Sequence, residues 1–159
     1  MAFADVCCEE LISRLKSSPK QVTKWIARNR EKPSHIEWTC EATSNDGDTS
    51  IVYMRQNKIL DDDFSCGIAW KSPDGEQITI ARYNGSSHDH TNKSDGQTFV
   101  QQCHIHQATV MAVQRGWSVE NYAVLAESYT CLEEAKVLLA SDYVISGLVP
   151  DINQLPLWN

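Results

Sequence analysis

No stretch of this chain approaches the ~20 consecutive apolar residues that a membrane-spanning helix requires, so helical insertion into a bilayer is excluded as a reading. The N-terminus, Met1-Ala2-Phe3-Ala4-Asp5, has neither the basic residues nor the following apolar run of a secretory signal. The chain therefore reads as cytosolic. No Cys-x-x-Cys occurs among the six cysteines at 7, 8, 40, 66, 103 and 131, which leaves no encoded zinc knuckle and no thioredoxin-type redox pair. A chain of 159 residues can bury roughly 70% of its unfolded surface in one core and needs no disulfide staples. Reduced thiols are expected, Cys40 among the buried ones. Also missing are G-x-x-x-x-G-K, G-x-G-x-x-G and G-x-S-x-G, and with them the usual nucleotide cradles and the serine-hydrolase elbow. There is no internal repeat and no linker, so residues 1–159 are read as a single domain.

Charge is plentiful but unevenly spread. The net charge of −7 argues against non-specific coating of nucleic acid, which needs clustered Lys and Arg. Between Arg14 and Lys32, however, seven basic residues face one acid, Glu31, so this segment carries +6 and the remainder −13.

Periodicity supplies the elements. Asp5 can cap a helix with Cys8, Leu11, Ile12 and Leu15 on one stripe, and Ser18-Pro19-Lys20-Gln21 has the form of a capping box opening a second helix that Pro33 ends. Val22, Trp25 and Ile26 would be its buried face, with Lys20, Lys24 and Arg28 along a solvated one. From His35 the period changes to 2. Ile36, Trp38, Cys40 and Ala42 alternate with Glu37, Thr39, Glu41 and Thr43, and the turn residues 45–48 and 72–75 separate further strands at 49–55, 64–71 and 76–83. Residues 99–106 read as another strand and 108–115 as a helix with Gly116 just past its end. Residues 122–128 are a short strand candidate, and Thr130-Cys131-Leu132-Glu133 is a second capping box, opening a helix with Leu132, Ala135, Leu138 and Leu139 buried. The expected fold is α+β. A largely antiparallel sheet of about five or six strands (35–106) carries two N-terminal helices (5–31) and a C-terminal helix-strand-helix unit (108–149), with an extended tail at 150–159.

Four of the five histidines lie in two His-x-His pairs, His88/His90 and His104/His106. On a strand, residues i and i+2 project from one face, so His104 and His106 can converge on one centre. Two chemistries follow. With His88 or His90 folding back over the strand, His88, His90, His104 and His106 could hold a divalent metal such as zinc, Asp89 or Asp95 orienting an imidazole. Without metal, Arg82, His90, His104 and His106 form a candidate catalytic set, one imidazole as base, another as acid, and Arg82 stabilising developing negative charge on a phosphodiester. Structural histidines in a protein-binding module are the third reading.

The progression Arg82-Tyr83-Asn84-Gly85, His90-Thr91-Asn92-Lys93-Ser94-Asp95-Gly96 and His104-Ile105-His106 resembles that of an uncharacterised family of small bacterial proteins with R-x-D-x-N-G, H-x-N-x-D-G and H-I-H motifs. The likeness runs over about residues 51–149. That family is in turn similar to small toxins of bacterial toxin-antitoxin pairs, which implies action on RNA or another phosphate-bearing substrate, an antitoxin-like protein partner, and roles for His90, His104 and His106. This chain differs from the pattern in having no acid directly after Arg82 and in carrying the additional His88.

Overall fold

A computed structural model describes residues 7–116 and 118–149. A first helix, α1 (Glu9–Ser17), leads into five long strands in succession, β1 (Lys20–Glu31), β2 (His35–Ser44), β3 (Thr49–Asn57), β4 (Phe64–Lys71) and β5 (Gln77–Asn84). Two short strands, β6 (His90–Thr91) and β7 (Thr98–Phe99), pair with each other. Then come β8 (His104–Gln107), α2 (Val110–Gln114), a 3-10 turn at Val119–Asn121, β9 (Ala123–Leu125), α3 (Leu132–Asp142) and β10 (Ile145–Ser146). Among the described residues eight strands form one sheet in the order β10-β1-β2-β3-β4-β5-β8-β9, antiparallel except for the parallel pairing of β10 with β1. The α+β class is as expected, and the sheet is larger than expected.

The largest correction concerns the second helix expected from Ser18 onward: Lys20–Glu31 form strand β1 and not a helix. Three register shifts, at Val22/Lys24, Trp25/Ala27 and Ala27/Arg30, interrupt its pairing with β2. Each bulge inserts a residue and resets which side chains face the core, so the two-residue alternation that marks a strand is broken in the sequence. The apolar spacing of Val22, Trp25 and Ile26 is what remains, and it mimics a helix. The strand at 99–106 is likewise interrupted: β7 ends at Phe99 and β8 begins at His104, with Gln101 at a φ of 49° between them. In α3 the box lies one residue on. Cys131 is the N-cap and Glu134 accepts from the Thr130 backbone N–H and hydroxyl, 3.1 and 2.9 Å away. For α1 the described N-cap is Cys8, whose Sγ accepts from Leu11 N. The proposed Asp5 cap and the 150–159 tail lie outside the described residues.

Period-2 alternation gives the sheet two unlike faces. One carries Cys40, Ala42, Val52, Met54, Cys66, Ile68, Tyr83 and Ile105, and packs on Leu11 and Leu15 of α1 and on Leu132, Ala135 and Leu139 of α3. This is the core. Tyr129, buried beside Phe64 and Tyr83, closes its far end by donating its hydroxyl proton to the carbonyls of Asn84 and His104. The opposite face holds the polar residues of the same strands.

Candidate functional site

Strand register lines up the polar face. Thr39, Tyr53, Gly67, Arg82 and His106 form one cross-strand row, and Glu37, Arg55, Ser65, Asn84 and His104 form the next. The β5–β8 pairing thus delivers Arg82, His104 and His106 to one surface, as the sequence suggested. Tyr53, Arg55, Thr39 and Ser65 come with them.

A cavity of about 480 Å³ opens on this surface, bordered by Thr39, Tyr53, Arg55, Ser65, Arg82 and Asn84, with His104 and His88 at its wall and rim. From β4 it takes Ser65, a short side chain. A Cβ at Gly67 would stand 2.4 Å from the Tyr53 hydroxyl oxygen and 2.6 Å from the Ala81 carbonyl oxygen. The missing side chain lets the Tyr53 phenol lie across β4 and reach Arg82, whose Nε donates to it at 3.4 Å. Arg82 Nη1 also donates to Glu120 of the 3-10 turn, and that contact holds the Glu120 carboxyl below the usual carboxylate range. Arg55 Nη1 is 3.3 Å from Asp63 Oδ1, and Asp63 in turn accepts from Asn57 Nδ2 at 3.0 Å. Each guanidinium of the cavity is therefore held by one carboxylate.

The histidines divide. His88 is 82% exposed at its side chain and 3.9 Å from Asp63, apart from the other three. His90, His104 and His106 are packed together, with ring centres 5.4 Å apart for His90 and His104, 4.6 Å for His90 and His106, and 4.9 Å for His104 and His106. The β6–β7 ribbon makes this possible. It lays His90 and the buried Phe99 over β8, and Asn92 fastens it to β9 by accepting from Ala123 N at 2.7 Å and donating to Ala123 O at 2.9 Å.

That pairing fixes the Asn92 amide, so its Oδ1 accepts from His90 Nε2 at 2.9 Å. His104 Nδ1 and His106 Nδ1 donate to the carbonyls of Gln102 and Tyr122, at 2.9 and 3.2 Å. The tautomers follow from these acceptors. Burial pushes the His104 imidazole below its ordinary pKa. Burial, followed by the neighbouring His104 and His90, takes His106 down to about 4. Each ring of the trio thus commits an N–H to a protein oxygen, and His104 stands at the edge of the cavity. Among the described residues no three His, Cys, Asp or Glu side chains are grouped so as to hold a metal ion, and no helix is long and apolar enough to cross a membrane.

Sequence reasoning did not identify Tyr53, Arg55 or Glu120. Alternation placed Thr39 and Glu37 on the polar side of their strand, but only the register shows that they share a surface with Arg82. Gly67 in mid-strand was the available signal, since an interior strand glycine marks a close approach. No family model, no curated protein and no solved structure matches the chain.

Proposed function

We propose that the polar face of the sheet binds a phosphate-bearing ligand of nucleotide size, with Arg55 and Arg82 receiving the phosphate. The observation that carries this reading is the pair of guanidinium groups on β3 and β5, brought from the two sides of β4 into one cavity that also takes in Ser65. Arginine presents a planar fork of donors matched to phosphate oxygens. The volume of about 480 Å³ lies in the range of small-ligand sites. Asp63 and Glu120 hold the two forks until a phosphate displaces them. With a net charge of −7, a single phosphate or a short oligonucleotide suits the site better than a long polyanion.

His90, His104 and His106 act in this reading as positioning residues that build the cavity wall. A general base needs a reachable lone pair; His104 and His106 are buried, His90 is half-buried, and each of the three rings commits one N–H to a protein oxygen. The protein is thus a binding module in the first place. Turnover of an RNA oligonucleotide by the wild type, lost in Arg82→Ala, would extend the reading to the toxin-like action that the family resemblance implies.

Calorimetric titration with adenosine monophosphate and with adenosine tests the binding itself. The monophosphate is expected to bind at least tenfold tighter than the nucleoside, and Arg55→Ala or Arg82→Ala to remove that preference. Equal affinity for the two compounds, or a preference unchanged in both variants, would defeat the proposal.

A further inference from the structure

Arg82 borders two cavities. Besides the polar one there is a second, of about 530 Å³, farther along β5, where Ile78, Ala108, Ala112, Val113 and Val119 supply an apolar lining beside Gln77 and Thr79. Thr79 pairs with Ala69, and Arg82 with Gly67 two residues along β4. The register shift at Ile68/Ala69 lets Thr79 and Arg82, three residues apart on β5, face the same side. The second cavity therefore continues the polar face. Glu120 lines the second cavity and not the first, and its ion pair with Arg82 stands where the two meet. Arg82 is 28% exposed and Glu120 57%, so the partition consists of two partly exposed side chains, not backbone.

We infer that the two cavities are subsites for one ligand, a phosphodiester flanked by a group on each side, whose phosphate takes the place of the Glu120 carboxylate on Arg82. This rests on the phosphate reading above and extends it. A phosphodiester carries one negative charge, as the carboxylate does, so the exchange leaves Arg82 neutralised and opens the partition. The hydrogen-bonding first cavity then receives a polar flank, and the second receives a flat apolar one. A mononucleotide fills only one subsite and gains nothing from the second.

The probes are adenosine monophosphate and the dinucleoside monophosphate adenylyl-adenosine, titrated calorimetrically into the full chain. Wild type is expected to bind the dinucleoside monophosphate at least tenfold tighter than the mononucleotide. Val119→Trp, which fills the second cavity from the partly exposed 3-10 turn, should abolish that excess and leave mononucleotide binding within twofold. Ser118→Trp, at the same rim, serves as the second blocking variant should Val119→Trp melt early. Glu120→Gln, which weakens the carboxylate's hold on Arg82, should tighten dinucleoside monophosphate binding severalfold. Equal affinity of the two probes, or an excess that survives both blocking variants, overturns the shared-ligand inference while leaving the phosphate site standing. Failure of the dinucleoside monophosphate alone to bind likewise overturns only the shared-ligand inference, and failure of both probes overturns both.

Discussion

The two faces of this sheet are made by the same strands, one residue out of phase, and they are held together by opposite means. On the core face, Cys40, Val52, Cys66 and Tyr83 are fully enclosed between strands and helices, and stability comes from apolar burial at roughly 25 cal/mol per Å². On the polar face, the side chains at Tyr53, Arg82 and Asn84 stay partly open and touch their neighbours through hydrogen bonds and an ion pair. Such contacts contribute little where water competes. A change on the first face should therefore be felt in folding, and a change on the second in binding.

The sharpest way to break that contrast is Leu139→Ala in α3, a fully buried site. It should cost about 2–5 kcal/mol of stability, read by denaturant unfolding, with mononucleotide affinity of the folded fraction unchanged. Asn92→Ala comes next, because it belongs to both classes. Lost contacts to Ala123 N, Ala123 O and His90 should cost about 1–3 kcal/mol, and exchange of the amides at 90–99 should accelerate ahead of the rest of the sheet.

Acid probes the same ribbon. His106 has a folded pKa of about 4 against an ordinary 6.5, so the unfolded chain binds the extra proton between those values. The contribution is fully present above pH 6.5 and is lost as pH falls toward 4, at a slope of up to about 1.4 kcal/mol per pH unit. His106→Gln should flatten that part of a stability profile. An identical profile in the variant would place the acid sensitivity elsewhere. Smaller still in stability is Arg55→Ala. Its partly exposed pair with Asp63 is worth under about 1 kcal/mol, yet phosphate preference should collapse. Gly67→Ala sharpens the comparison from the other side, since the methyl group meets the Tyr53 phenol and a backbone carbonyl. Reduced affinity is expected together with a clear drop in melting temperature, because the Ala81 carbonyl belongs to the strand backbone and must move.

Much of this architecture can be read from residue order, and the failures have identifiable causes. The hairpins around Gly47 and Gly75 are legible because both glycines take positive φ, at 85° and 89°, in turns flanked by alternating strands. Strand β1 is not legible, because three bulges scramble its alternation while Ser18 and Pro19 imitate a helix start. β10 pairs through only Ile145 and Ser146, too few residues for any period. Within the site, the meeting of His104 and His106 follows from their spacing and that of His90 from the ribbon, so the cluster is visible in one stretch of sequence. Its burial is not, since that depends on Asn92 reaching Ala123. Arg55, Tyr53 and Glu120 join Arg82 from distances of 27, 29 and 38 residues, where only pairing register decides who meets whom.

Lys20 ties the two ends of the described fold. Its buried ammonium group donates to Ser18 O at 2.9 Å and to Tyr143 O at 2.7 Å, its backbone N–H donates to Val144 O at 2.7 Å, and burial lowers its pKa to about 8. During synthesis, β1 leaves the ribosome more than a hundred residues before the acceptors at 143 and 144 exist. Until they emerge the ammonium stays hydrated and the outer edge of β1 stays open. Closure of this edge is thereby coupled to the emergence of residues 143–146, and a nascent chain halted before Tyr143 displays a cationic strand edge that β10 later closes at Lys20 and Gln21.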